Sequence, residues 1–328
     1  MIMLSPSRML SRRLRISLVA ALVPLLAGGA ALVTRKSAHA EDAAADKAEL
    51  NERCSVRLSM ALLGASPDAS LLSSSDPLAA VDGMIATPAF QERFARFINS
   101  ELSGGPVENP ANDPVYWLAH HVITQNKPWS DLFIGPYALT PTATGMTVTN
   151  DPNGVGYFRS PTWMRRFAGN DEEGTMLVAA FRMTQNTTGL ELQASVGNAG
   201  EDRGLDGRKA AACKGCHFDA WYALDTVANL LPKREGTGDA MKFIPPTAGP
   251  QQLLGKSIKS DKEYLETLVA SDAFAFNQCR RVFKFLYGRE ENRCESKVFD
   301  ACVEALEQEK TIQAAVATVA KDPSFCTN

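Results

Sequence analysis

Histidine is scarce in these 328 residues: there are four, His39, His120, His121 and His217. No Ser-His-Asp arrangement, phosphate-cradling glycine loop or carboxylate pair stands out, and an apparent nucleophile such as Ser260 reads better as a helix cap. Strand-like alternation of period two is missing, as are internal repeats and low-complexity tracts beyond an Ala-rich stretch after residue 40. An excess of positive charge is missing too. The chain carries −3 overall, and removal of residues 1–40 takes away six Lys/Arg and no Asp/Glu, leaving −9. That balance argues against nucleic acid or an anionic membrane surface as partner and fits a basic or neutral redox partner protein.

The motif that is present organises the rest. Cys213-Lys214-Gly215-Cys216-His217 reads C-x-x-C-H, the attachment signature for one covalent haem c. Thiols three residues apart on a helical turn share one side, so both can add to the vinyl groups of one porphyrin. The next residue, His217, can then offer a ring nitrogen to the iron as axial metal ligand. Asp206 as N-cap and the run Gly207-Arg-Lys-Ala-Ala-Ala predict a helix carrying the pentapeptide and continuing to about Leu231. Trp221, four residues after His217, falls on the same predicted face, where it packs on the porphyrin or in the core. Two other readings of C-x-x-C stay open, half a zinc site and a dithiol redox pair. The first wants two further ligands, and no second C-x-x-C exists. The second wants a thioredoxin-like βαβ context that the flanks do not suggest.

The N-terminus predicts export. Arg8, Arg12, Arg13 and Arg15 form a basic region, Ile16 to Val33 is apolar and uncharged, and Ala38-His39-Ala40 is a cleavage signal. Residues 1–40 are therefore read as a signal peptide, and the protein as periplasmic or otherwise exported. The apolar run is at the lower edge of a spanning length, so an uncleaved membrane anchor stays open; without one, no stable membrane insertion is expected. Five cysteines lie outside the haem motif: Cys54, Cys279, Cys294, Cys302 and Cys326. In an oxidising compartment they allow two disulfides and one leftover thiol, with pairing among the last four the simplest arrangement.

The expected fold class is all-α, a multi-helix chain with a haem-binding helical segment, a C-terminal helical cluster and two long irregular loops. The divisions are an N-terminal helical region over 41–135, loops and connecting helices over 136–205, and a haem-binding region with Cys-rich C-terminal helices over 206–328. Asp76-Pro77, Thr87-Pro88, Asp113-Pro114 and Ser160-Pro161 each put a capping side chain before a proline at a helix start. Leu50, Cys54, Leu58 and Leu62 predict one apolar face; Phe90, Phe94, Phe97, Ile98 and Leu102 another; Val115, Leu118, Val122 and Ile123 a third. Leu139–Phe158 and Asn186–Asp206 are rich in Thr, Gly and Asn and read as loops, and 236–250 as an irregular connector. Ser260-x-x-Glu263 is a capping box. Phe276, Cys279, Val282, Phe283 and Leu286 are the expected inner face of a helix over Asp272 to Tyr287, closed by Gly288.

The order of short blocks resembles the planctomycete-type cytochrome C domain proteins. Arg57-Leu-Ser-Met-Ala-Leu-Leu-Gly-Ala-Ser-Pro67 and Ile85-Ala-Thr-Pro-Ala-Phe-Gln-Glu-Arg-Phe-Ala95 resemble that family's opening. The Tyr116–Phe133 block with its Trp residues, the C-x-x-C-H block, Tyr287-Gly-Arg289 and Asp322-Pro-Ser-Phe325 resemble its later ones. Phe218-Asp-Ala-Trp-Tyr-Ala-Leu-Asp lacks the Pro and Gly that the family carries after C-H. The resemblance implies an exported, helical, haem-bearing protein and names no substrate.

A c-type iron usually takes a second axial ligand. Met241, in the Pro-rich connector, is the first choice as that metal ligand, with Met183, Met176, His120 and His121 as rivals. Met60, Met84 and Met164 read as core filler. Three functions compete: an exported monohaem electron-transfer protein, a one-haem redox enzyme with an open sixth site, and a structural or partner protein of an envelope complex. The first is the working expectation; whether the protein is an enzyme stays open.

Overall fold

The computed structural model describes residues 35–104, 112–192 and 202–327. The predicted apolar export run lies outside them, as does the middle of the second predicted loop. The chain divides into two units, Met1–Asp46 and Lys47–Asn328. In the first, the described backbone is the start of helix α1 (Arg35–Leu62), which runs over the predicted cleavage signal. No helix among the described residues is long and apolar enough to cross a membrane.

The second unit is largely helical. After α1 come α2 (Ala69–Leu72), α3 (Val81–Ile85), α4 (Pro88–Leu102), α5 (Pro114–Thr124) and α6 (Asp131–Ile134). Two of the proline starts are capped as their side chains allow: the Thr87 hydroxyl accepts from Phe90 N–H at 3.3 Å and Asp113 from Val115 N–H at 3.0 Å. Asp76 and Ser160 make no such bond; Pro77 opens a 3₁₀ turn, Pro77–Ala80. Cys54, Leu58 and Leu62 are buried, but Leu50 and Met60 point outward at 47% and 48% exposure, so Met60 is not the core filler expected of it. Met84 and Met164 are buried.

The all-α expectation needs one correction. Among the described residues three two-stranded antiparallel hairpins interrupt the helices: β1 (Tyr137–Thr142) with β2 (Gly145–Asn150), β3 (Lys233–Glu235) with β4 (Lys242–Ile244), and β5 (Gln251–Leu253) with β6 (Lys256–Ile258). The first occupies part of the predicted loop over 139–158. Its alternation was hidden because half of its residues are exposed and few are buried. Gly145 is required there, since a Cβ would collide with the Trp117 indole. The second hairpin starts just before the predicted irregular connector over 236–250 and places β4 inside it.

After α7 (Pro161–Arg166), α8 (Leu177–Thr188) runs further than expected and stops at Gly189 in the left-handed region, φ 77°. The C-terminal helices are α12 (Asp261–Val269), α13 (Asp272–Tyr287), α14 (Ser296–Glu309), α15 (Ile312–Ala320) and α16 (Pro323–Thr327). Ser260 accepts from Glu263 N–H at 3.2 Å, and Glu263 returns the bond to Lys259 N–H at 2.7 Å. Gly288 closes α13 at φ 70°. Phe276 departs from the expected inner face: it is 43% exposed and rests near Phe299, while Phe274 is buried. Helix α13 is central, packing on α4, α8, α12, α14 and α15. One continuous core, from Cys54 to Phe325, takes residues from all three predicted regions.

Two disulfides staple it, Cys54–Cys326 and Cys279–Cys302. Cys294 is free and exposed. The count matches expectation, but one bond reaches back to α1 instead of staying in the C-terminal cluster. A Cys54→Ser/Cys326→Ser variant loses the cross-link over 272 residues. It is expected to unfold with a loss near the top of the usual range of about 2–4 kcal/mol, read as a lower guanidinium midpoint. An unchanged midpoint contradicts this.

Candidate haem-attachment site

The C-x-x-C-H segment does not lie on one long helix. Helix α9 (Leu205–Lys209) ends where Ala210 turns extended, at φ −61° and ψ 152°. Helix α10 (Ala211–Lys214) restarts at once and runs into a single π-helical turn (Gly215–Asp219), closed by Ala220 N–H to Gly215 C=O at 2.8 Å. The chain turns extended again at Ala220, and α11 (Leu224–Ala228) begins only afterwards. Gly204 is the N-cap of α9 and Asp206 lies in its first turn, not at the cap. Wide turns of this kind often mark functional segments.

Cys213 is half-buried and Cys216 exposed, and neither is in a disulfide. The Tyr222 hydroxyl donates to Cys216 Sγ at 3.3 Å. That bond, followed by burial, holds the phenol above its ordinary pKa. Lys214 and Asp219 bridge the turn at 3.3 Å. Trp221 is 45% exposed and meets Tyr222 edge-on, with ring centroids 5.3 Å apart. The break at Ala220 removes the helical-face argument that put Trp221 beneath His217.

His217 is held from behind. Its Nδ1 lies 2.7 Å from Asp225 Oδ2. A carboxylate only accepts, so Nδ1 carries the hydrogen, and in the neutral ring the lone pair then lies on Nε2. Asp225 is in turn gripped by Arg208, whose Nε donates to Oδ1 at 2.9 Å. Arg208 Nη1 donates to Asp171 Oδ2 at 2.8 Å and to the Arg203 carbonyl at 2.9 Å. Asp171 belongs to a turn that also accepts from Thr175 N–H at 3.0 Å, and Arg234 of β3 donates to the Asp171 carbonyl. Arg234 N–H adds a bond to Gly174 C=O at 3.0 Å; a Cβ on Gly174 would collide with the Arg234 carbonyl. Helix α11 anchors the assembly by packing on α8 and β5.

Burial alone would raise the Asp171 pKa. The Thr175 N–H, the Thr175 hydroxyl and Arg208 outweigh it and hold the carboxyl below its ordinary 3.8. A depressed folded-state pKa contributes stability that is present above 3.8 and lost as pH falls through the folded value. Asp171→Asn is therefore expected to flatten the acid limb of the melting temperature against pH below about pH 4. An acid limb identical to the parent's contradicts this.

Met241 follows a 3₁₀ turn (Gly238–Ala240) just before β4, half-buried against the core. Its hairpin is tied through Arg234 to the turn that holds Arg208. The rival ligands are buried in the core or partnered on α5. Met176 and Met183 are buried in the core at the start of and along α8. His120 sits near Thr124 and Tyr116, and His121 meets Tyr137 edge-on, on a helix that packs against α4, α6 and β2. Burial, then Lys127 and His120, hold the His121 pKa below its ordinary value.

Asp225, Arg208, Asp171 and Tyr222 were not anticipated. Eight residues of continuous helix would hold His217 and Asp225 about 12 Å apart along the axis, out of contact; the breaks at Ala220 and before α11 fold one back on the other. Among the described residues no group of three or more His, Cys, Asp or Glu side chains gathers to hold a metal ion, so a tetrahedral zinc set around Cys213 and Cys216 has no candidates there. The donor set fits a haem c better: two thiols outside any disulfide and one imidazole whose Nδ1, not its Nε2, is tied to Asp225. Compared with known proteins, the chain matches no family model, no curated protein and no solved structure.

Proposed function

We propose that this chain is an exported monohaem c-type cytochrome, of the planctomycete-type cytochrome C domain kind, that transfers electrons to or from a partner protein. The observation that carries the reading is the pair of unpaired thiols at Cys213 and Cys216 beside a histidine whose Nδ1 is already committed to Asp225. Four of the other five cysteines are consumed in disulfides remote in sequence from this motif. In attachment, each Sγ–H adds across a vinyl C=C: sulfur bonds one carbon, hydrogen the other, and no net oxidation occurs. His217 through Nε2 and Met241 are the side chains that would hold the iron. The group, when bound, supplies one-electron iron chemistry. Trp221 and Tyr222 flank the attachment turn, and their exposure beside Cys216 supports a docking edge for a partner.

The test is an absorption spectrum of protein from a periplasm competent in cytochrome c maturation, taken oxidised, reduced, and reduced with carbon monoxide. A sharp low-spin spectrum unmoved by carbon monoxide supports electron transfer. Immediate carbon monoxide binding favours the one-haem enzyme reading. No Soret band sinks both.

A further inference from the structure

We propose that Asp225, braced by Arg208, is a positioning residue that makes His217 a strong axial donor and lowers the midpoint potential of the iron. The proposal rests on the cytochrome reading above. Side-chain exposure is 4% for Asp225, 6% for Arg208 and 11% for Asp171, against 24% for His217. Buried charges are costly unless each is matched. Here two carboxylates share one guanidinium, so the trio keeps an excess negative charge. The oxygen that Arg208 Nε does not engage, Asp225 Oδ2, faces His217 Nδ1 at 2.7 Å.

Two consequences follow for a metal on Nε2. A carboxylate on Nδ1–H fixes the ring's orientation and draws its hydrogen, raising the basicity of the opposite nitrogen more than a neutral carbonyl would. The excess negative charge in a poorly solvated site also favours the more positive, oxidised iron. Both effects push the potential down. Arg208 opposes them in part, by taking up charge on Oδ1, and it keeps Asp225 from swinging away. The brace continues through Asp171 and Arg234 to the hairpin that carries Met241.

Spectroelectrochemical titration of the haem-loaded wild type and Asp225→Asn reads this directly. Asparagine keeps an oxygen acceptor for Nδ1–H and removes the charge. The expected result is unchanged covalent haem content with the redox equilibrium moved at least tenfold toward the reduced form, about 59 mV for one electron. Asp225→Glu, which restores a carboxylate, is expected to return most of the shift. A haem-loaded Asp225→Asn protein with the wild-type potential overturns this proposal alone. A wild type without covalent haem overturns the cytochrome reading and this proposal with it. If Asp225→Asn does not load, Asp171→Asn replaces it. Removing a charge one link further out is expected to give a smaller upward shift; no shift or a downward one overturns the proposal.

Discussion

A Cys213→Ser/Cys216→Ser chain is expected to leave a maturation-competent periplasm folded and without covalent haem. Serine hydroxyls do not add to the vinyl groups, so both covalent bonds are lost together, and acid–acetone treatment of any associated pigment leaves a colourless chain. The fold has little stake in these two positions. Cys216 is exposed, Cys213 is half-buried, and neither belongs to the core or to a disulfide. Substitutions at such sites cost roughly 0.5 kcal/mol or less. The paired control is Cys279→Ser/Cys302→Ser, which removes the bond between α13 and α14. It is expected to lose stability and keep its haem. Equal haem content in the two double variants would contradict the assignment of attachment to residues 213 and 216.

Arg208→Ala is expected to lower the unfolding free energy by about 3–5 kcal/mol, the usual cost of breaking a buried ion pair from one side. The magnitude follows from what is stranded. Asp225 and Asp171 are both nearly inaccessible, and their two carboxylates lose the guanidinium they share in one step. The Arg203 carbonyl loses a donor as well. Denaturant melts of Arg208→Ala, Asp171→Asn and their combination form a double-mutant cycle. Removing the stranded charge is expected to recover part of the loss, because the penalty lies in the unpaired carboxylate. A loss below 1 kcal/mol, or strict additivity, contradicts the picture of one shared buried cluster.

How much of this was legible in the sequence differs by element. Helices with a strong apolar stripe and end signals were readable. For α13 the apolar residues at helical spacing and the Gly288 stop sufficed. The hairpins were not readable, because residues such as Thr140, Thr142 and Thr147 face solvent and carry no alternating apolar signal. The C-x-x-C-H segment departs from the single helix expected for it. Ala-rich stretches promise helix, but tertiary contacts decide, and here the chain breaks at Ala210 and Ala220 so that Asp225 can reach His217. The disulfide from Cys54 to Cys326 joins the two ends of the core, a pairing that spacing alone does not reveal. The carboxylate–guanidinium brace is likewise invisible in sequence, since its members lie at 171, 208 and 225 with no common period.

The measurement closest to the central claim is the intact mass of the protein, purified from a maturation-competent periplasm and fully denatured, followed by mapping of the modified peptide. The account predicts a chain heavier by one haem, with the added mass on the peptide that spans Cys213 to His217. An unmodified mass, with Cys213 and Cys216 free or bridged to each other, would contradict it.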